Sequence, residues 1–219
     1  MSGALAGLVL LVIGDSHMSH MTATLHDRLE SAGAAVHTYY MCGSPPNDWV
    51  YPSQIAPWGN CGKGERHEKS PAVVEKQALM PSYQLSALLQ KNHPNVVIVQ
   101  GGDTLGGYTA PDLPKGWAYD QVHTLVTRIQ AANVSCVWIG PIYGDVKSTF
   151  HKSDDRVREL SQFLAQSVAP CSYVDSLKFS RPHEWPTVDG VHLTQSGYEA
   201  WSTDIVNALV ALKTQNRLR

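Results

Sequence analysis

The 219-residue sequence has few charged side chains and no long apolar run. Asp, Glu, Lys and Arg make up only 16% of it, and 17 basic against 19 acidic residues leave a net charge of −2. A chain this close to neutral has no general attraction for nucleic acid or for an anionic membrane surface. The apolar stretch Ala4–Ile13 is far shorter than the roughly 20 residues of a membrane-spanning helix. It also lacks the basic leader of a signal peptide, so we predict that it contains the first buried strand.

Cysteine is scarce, and the four cysteines form no Cys-x-x-Cys pair, which argues against the usual zinc-ribbon site. Cys136 and Cys171 each open a predicted strand, while Cys42 and Cys61 bracket a long loop. Two local disulfides are therefore feasible and would indicate export to a periplasmic or extracellular compartment. Four buried thiols, compatible with the cytoplasm, are the alternative. Cys42, Cys61 and His67 lack the spacing of a metal motif, and we expect neither a metal nor an organic cofactor.

Short apolar runs alternate with longer amphipathic segments along the chain. The runs predicted as strands are Leu8–Ile13, Ala35–Tyr40, Asn95–Gln100, Cys136–Gly140 and Ser172–Val174. The segments predicted as helices are Ser19–Ala32, Pro81–Lys91, Trp117–Ala132, Ser153–Val168 and Thr194–Leu212. Continuously apolar strands indicate a parallel sheet covered on both faces. The pattern predicts a single α/β domain over residues 1–219: a three-layer α/β/α sandwich with a five-stranded parallel sheet and a long loop insertion at about 41–80.

Two short segments carry the residues of a serine nucleophile and its base. Ser16 follows Gly14 and Asp15 at the carboxyl end of the first strand, where parallel sheets place their ligands. Asp189 and His192 lie three residues apart, so the carboxylate could orient the imidazole that deprotonates the serine. The structural alternative is that Ser16 caps the first helix, and that Asp189 and His192 cap the helix near residue 194.

Four blocks of the sequence occur in the order typical of one enzyme superfamily. They are Gly14-Asp15-Ser16, Cys42-Gly43-Ser44, Gly101-Gly102-Asp103-Thr104 and Asp189-Gly190-Val191-His192. In these blocks the chain resembles the SGNH/GDSL hydrolases, which include esterases, lipases, thioesterases and carbohydrate O-acetyl esterases or transferases. The resemblance implies a flavodoxin-like fold and a catalytic triad of Ser16, His192 and Asp189. It also implies an oxyanion hole formed by the backbone N–H groups of Ser16 and Gly43 and by a side-chain amide in the third block.

The third block departs from the superfamily because Asp103 stands where an asparagine is expected. An ionised carboxylate cannot donate to an oxyanion, and loss of one donor costs about 10²–10³ in rate. Asp103 could be protonated in a dry pocket, or Thr104, Asn47 or Asn60 could donate instead, or the substitution could be inactivating. If Asp103 is ionised and no other donor exists, Asp103→Asn is expected to raise turnover about 10²-fold or more.

Aromatic side chains in the loops after the strands suggest a sugar-binding cleft. Four residues are predicted to contact substrate: Trp49, Tyr143, His183 and Trp185. Some of these side chains could instead pack the long loops, and His17 could either line the pocket or lie exposed at the start of a helix. We expect hydrolysis or transfer of a short acyl group, acetyl above all, on a small or polysaccharide ester substrate by a monomeric protein. An O-acetyltransferase with the same triad, or an impaired carbohydrate-binding module on this fold, are the alternatives.

Overall fold

A computed structural model of the chain describes residues 3–147 and 149–218. Its strands are β1 Val9–Gly14, β2 Ala35–Met41, β3 Gln54–Ile55, β4 Lys63–His67, β5 Val73–Glu75, β6 Met80–Pro81, β7 Val96–Gln100, β8 Ser135–Ile139 and β9 Ser172–Val174. Its α-helices are α1 Ser16–Ser31, α2 Leu85–Asn92, α3 Lys115–Ala131, α4 Asp154–Ser167 and α5 Gln195–Thr214. The predicted alternation of strands and helices is confirmed.

The main sheet has the strand order β5-β4-β2-β1-β7-β8-β9. The five strands predicted from the sequence are the consecutive parallel part of this sheet, from β2 to β9. The expected number of five strands is wrong, because the sheet within the described residues has seven. The two additional strands, β4 and β5, are antiparallel and extend the sheet beyond β2.

The additional strands come from the segment 41–80, which the sequence suggested was a loop insertion. β4 pairs with β2 through five residue pairs, and β5 pairs with the outer edge of β4. A separate two-stranded sheet joins β3 to β6. The segment thus obtains its order by continuing the central sheet, and it carries Cys42, Gly43 and Cys61 to the carboxyl end of β1.

The helices cover both faces of the sheet, as expected for a three-layer sandwich. One apolar core lies under α1 and α5 and contains Met18, Leu25 and Trp201. The other lies under α2, α3 and α4 and contains Leu125 and Leu160. Burial of these apolar side chains is the main stabilising contribution, about 25 cal/mol for each Å² removed from water. None of the helices within the described ranges has the length and apolar character needed to cross a bilayer.

Each of the five helices begins within four residues of its predicted start, and the shift is largest for α1 and α2. α1 starts at Ser16 rather than at residue 19 because Asp15 accepts the backbone N–H of His17 and serves as its N-cap. α2 starts at Leu85 rather than at Pro81, which pairs with Gln54 in the small sheet. In α1 a side-chain hydrogen bond determines where the helix begins, and in α2 strand pairing does. Hydrophobic periodicity alone does not predict either starting residue.

All four cysteines are paired in the structure. Cys42 is bonded to Cys61 and Cys136 to Cys171, and there is no free cysteine among the described residues. The second bond joins the neighbouring strand β8 to the residue before β9. The pairing therefore agrees with the disulfide alternative.

Thiol titration in denaturant without reductant is expected to detect no free cysteine. The loops close over separations of 19 and 35 residues, for which the chain-entropy account gives about 3–4 kcal/mol of stabilisation each. Reduction should accordingly lower the melting temperature in a calorimetric scan. Detection of four reactive thiols in the unreduced, unfolded chain would contradict both bonds.

Candidate active site

The candidate site lies at the carboxyl ends of three neighbouring parallel strands. β1 leads directly to Asp15 and Ser16, β2 leads to Cys42 and Gly43, and β7 leads to the loop that contains Asp103. Because β1 lies between β2 and β7 in the sheet, the three sequence blocks meet at one edge. The loop before α5 supplies the fourth block, since α5 packs along α1.

Ser16, His192 and Asp189 form a continuous hydrogen-bonded chain. The Oγ of Ser16 lies 2.7 Å from Nε2 of His192, and Nδ1 of His192 lies 2.7 Å from Oδ2 of Asp189. An ionised carboxylate can only accept, so Nδ1 carries the proton and the lone pair of Nε2 faces the serine hydroxyl. This is the arrangement in which an imidazole can remove the serine proton.

The helix-capping alternative does not describe these residues. The cap of α1 is Asp15, and Ser16 is the first residue of the helix. The residue at the N-cap of α5 is Thr194. Asp189 accepts the backbone N–H groups of Val191 and His192 instead, which fixes the turn that presents the imidazole.

The electrostatic environment keeps Asp189 ionised. Partial burial would raise the pKa of Asp189, but hydrogen bonds from the His192 side chain and from two backbone N–H groups outweigh burial and lower it. His20 lies beside His192, with ring centroids 5.3 Å apart. Burial, followed by the neighbouring His192 and His17, lowers the pKa of His20 to about 4. His20 is therefore neutral near pH 7 and adds no positive charge next to the base.

Gly43 is positioned with Ser16 on the wall of a cavity of about 740 Å³. Its φ of +73° lies in the left-handed region that glycine adopts without strain. A Cβ at this position would also stand 2.9 Å from Nε1 of Trp58, so a side chain would displace the indole. Both constraints require glycine where the second backbone donor is expected.

The Asp103 side chain accepts hydrogen bonds from three other side chains. Oδ2 lies 2.5 Å from Nε2 of His17 and 2.5 Å from Nζ of Lys152, and Oδ1 accepts from the Tyr108 hydroxyl at 2.5 Å. Lys152 is completely buried. His17 is also buried rather than exposed at the helix start, and its Nδ1 lies 2.9 Å from the Tyr198 hydroxyl.

These neighbours settle the charge of Asp103. Burial would raise its pKa, but the ammonium of Lys152 and the imidazole of His17 act more strongly and hold the pKa of Asp103 well below its usual range. These contacts favour an ionised Asp103 over the protonated form that could donate to an oxyanion. No sequence pattern indicates Lys152 as the partner of Asp103, because a single lysine before a helix is normally solvated.

The four predicted substrate-contacting residues do not line this cavity. Trp49 is buried in the core, where its ring stacks near Tyr83 at 6.4 Å. Trp185 packs against the other core. Tyr143 lies under the Arg158 guanidinium, 5.6 Å from the ring centre, and His183 pairs with Asp154 at 3.4 Å.

Aromatic side chains other than the four predicted contacts line the cavity. They are Trp58, Phe150, Tyr108 and Tyr40. Trp58 and Phe150 lie with ring centroids 6.3 Å apart, and Trp58 is 63% exposed. Their position next to Ser16 depends on long loops, and no spacing in the sequence indicates it.

Solved structures share this fold at low sequence identity. A DUF4886 family protein from Bacteroides uniformis has a TM-score of 0.62 at 15% identity, over 92% of this chain and 82% of that one. A GDSL-like lipase from Bacteroides thetaiotaomicron has a TM-score of 0.55 at 12% identity, over 91% and 86%. A catalytic mutant of an acetylxylan esterase from Geobacillus stearothermophilus has a TM-score of 0.51 at 15% identity, over 92% and 94%. The likeness shows the SGNH hydrolase fold.

Comparison of the sequence with the models of known protein families gives no match. A curated relative does match along nearly the whole chain. Protein BcsX of Komagataeibacter xylinus is 37% identical over 211 residues, which cover 95% of this chain and 79% of that protein. The chain has the fold of the SGNH hydrolases and belongs to the family of BcsX.

Proposed function

We propose that this protein is a serine esterase that cleaves or transfers a short acyl group, acetyl above all, carried by a carbohydrate hydroxyl. The observation that carries the proposal is the unbroken chain from Ser16 Oγ through His192 to Asp189, with both contacts at 2.7 Å. The chain borders a cavity large enough for a small ester. An impaired binding module would not need a base aligned with a serine hydroxyl.

The reaction proceeds in two acyl-transfer steps. Nε2 of His192 takes the proton of Ser16 as Oγ attacks the acyl carbon, and Asp189 stabilises the imidazolium that forms. The backbone N–H groups of Ser16 and Gly43 donate to the developing oxyanion. Collapse breaks the ester bond, and the imidazolium returns the proton to the departing sugar oxygen. His192 then deprotonates water, or a second sugar hydroxyl, which attacks the acyl carbon. The bond from that carbon to Ser16 Oγ breaks, and the imidazolium returns the proton to Oγ.

The cavity lining favours a carbohydrate ester over a long-chain lipid. Trp58 and Phe150 present aromatic faces near the nucleophile, and such faces stack on the C–H surfaces of sugar rings. Among the described residues, the aliphatic side chains that line the cavity are those of Val74 and Val191, which offer little surface to an extended acyl chain. The acetylxylan esterase that shares the fold acts on a substrate of this class.

The two disulfides support a role outside the cytoplasm. Structural disulfides persist in oxidising compartments and are rare where thiols are kept reduced. An exported enzyme would meet acetylated polysaccharide or its fragments directly. We propose that it acts there as a monomer.

A fluorophosphonate probe tests the proposal. Because the activated Oγ displaces fluoride from phosphorus, the probe is expected to label Ser16 of the native chain, as read by peptide mass spectrometry, and not to label the acid-denatured chain. Native protein should also release acetate from 4-nitrophenyl acetate and O-acetylated oligosaccharides. Adding a sugar acceptor separates hydrolysis from transfer through the products. Absence of both labelling and release would contradict the enzyme and favour a binding module.

A further inference from the structure

The proposed reaction leaves one donor of the oxyanion hole unassigned. The backbone N–H groups of Ser16 and Gly43 account for two donors. The side-chain position in the third block is occupied by Asp103, an ionised acceptor that already receives hydrogen bonds from Lys152, His17 and Tyr108. A carboxylate in this state has no proton to offer a developing negative charge.

The sequence suggested three other polar side chains as the missing oxyanion-hole donor: Asn47, Thr104 and Asn60. Asn47 does not line the cavity, and its backbone N–H is bonded to Gln121. Thr104 and Asn60 do line the cavity. Trp58 lines it as well, and its indole is the group nearest to the point where a Cβ of Gly43 would stand.

The indole of Trp58 approaches Gly43 with the pyrrole part of its ring. Nε1 lies 2.9 Å, and Cδ1 3.0 Å, from the point where a Cβ of Gly43 would stand. Within the part of the chain that the structure describes, Trp58 Nε1 has no hydrogen-bond acceptor. An indole N–H only donates, so in this place it can be satisfied only by an oxygen of solvent or substrate.

The backbone of Trp58 is held in this position by the bonds of its loop. The backbones of Trp58 and Cys61 exchange two hydrogen bonds of 2.8 and 2.9 Å. Cys61 is in turn bonded covalently to Cys42, the neighbour of Gly43. The disulfide thus links the loop that carries Trp58 to the residue next to Gly43. Donors fixed before the reaction stabilise a transition state without reorganising.

We propose that Nε1–H of Trp58 is the third donor of the oxyanion hole and replaces the side-chain amide that Asp103 cannot provide. The inference rests on the proposed function. It adds a reason for glycine at position 43, because a side chain there would push the indole away. It also makes the Cys42–Cys61 bond part of the site's architecture.

Trp58→Phe tests the proposal because it keeps an aromatic ring and removes the N–H. We expect kcat for 4-nitrophenyl acetate to fall about 10²–10³-fold with little change in KM, since the donor acts on charge present only in the transition state. Trp117→Phe is the matched control, as Trp117 is 45% exposed on α3 and does not line the cavity. It should keep full activity. Circular dichroism and melting temperature establish that both variants are folded.

Other outcomes would overturn the assignment. A raised KM with unchanged kcat in Trp58→Phe would show that the ring only binds substrate. A 10²-fold loss in Thr104→Val or Asn60→Ala, with Trp58→Phe unaffected, would move the donor to that residue. Ser16→Ala is measured in parallel: if it retains turnover, the proposed function itself fails. If it is inactive while Trp58→Phe is fully active, only the role of Trp58 is wrong.

Discussion

Ser16→Ala is expected to lower kcat/KM for acetyl esters by at least about 10⁴-fold, because removing the nucleophile of a triad leaves only the oxyanion hole and substrate binding to assist the reaction. The fold should be unchanged. Ser16 begins α1, but the cap of that helix is Asp15, and the Ser16 hydroxyl is bonded to His192 rather than to the backbone. Initial rates, with calorimetry on the same samples, measure both parts of the prediction.

Ser86→Ala provides the matched control for this substitution. Ser86 is exposed on α2, outside the cavity, so the same chemical change there should leave the rate within about twofold, as expected for a surface site without special contacts. Turnover by Ser16→Ala at the native rate, in a folded sample free of contaminating esterase, would refute the role of Ser16.

The sequence predicted the parallel strands and the meeting of the four blocks because both follow from strong local signals. Continuously apolar strands such as Val96–Gln100 can only be buried, and each block directly follows a strand or precedes a helix. β4 was missed for the opposite reason. Its sequence, Lys63–His67, contains charged and polar residues without apolar alternation, as is common for strands near the edge of a sheet. Its pairing with β2 is a tertiary effect.

Aromatic residues in loops were the least predictable part of the site. Trp49 and Trp58 both lie in the segment 41–80. Trp49 is buried near Tyr83, while Trp58 stays exposed beside Gly43. The pairing of this segment with the sheet determines which tryptophan stabilises a loop and which faces the cavity. Neither the composition nor the spacing of the sequence predicts that pairing.

Asp103 shows a different limit. The sequence reveals that a carboxylate replaces an expected amide, and a buried carboxylate requires a compensating cation. The partner, Lys152, is 49 residues away and lies just before α4. Only the packing of that loop against the site brings its ammonium to Oδ2 of Asp103.

Breaking the pair between Asp103 and Lys152 from either side is expected to destabilise the protein by about 3–5 kcal/mol, because each single change leaves one buried charge without the oppositely charged side chain that compensates it. Lys152 is completely buried, and the Asp103 side chain is 9% exposed. Lys152→Met leaves the carboxylate of Asp103 without its ammonium partner, whereas Asp103→Asn leaves the ammonium of Lys152 without its carboxylate partner. The single Asp103→Asn variant should therefore lose stability rather than gain the turnover that the sequence alone suggests.

The double variant Asp103→Asn/Lys152→Met should be more stable than either single variant, since it removes both charges and keeps similar side-chain volumes. Urea unfolding of the four proteins gives the coupling free energy of the pair, which should exceed the about 3–5 kcal/mol lost by each single variant, because the double variant should lose less than either. Asp112→Asn and Lys147→Met, at exposed positions, are the matched controls. Their effects on the free energy of unfolding should be additive in the double variant. Strictly additive losses for Asp103 and Lys152, or full stability in Asp103→Asn alone, would show that the ammonium is not held by this carboxylate.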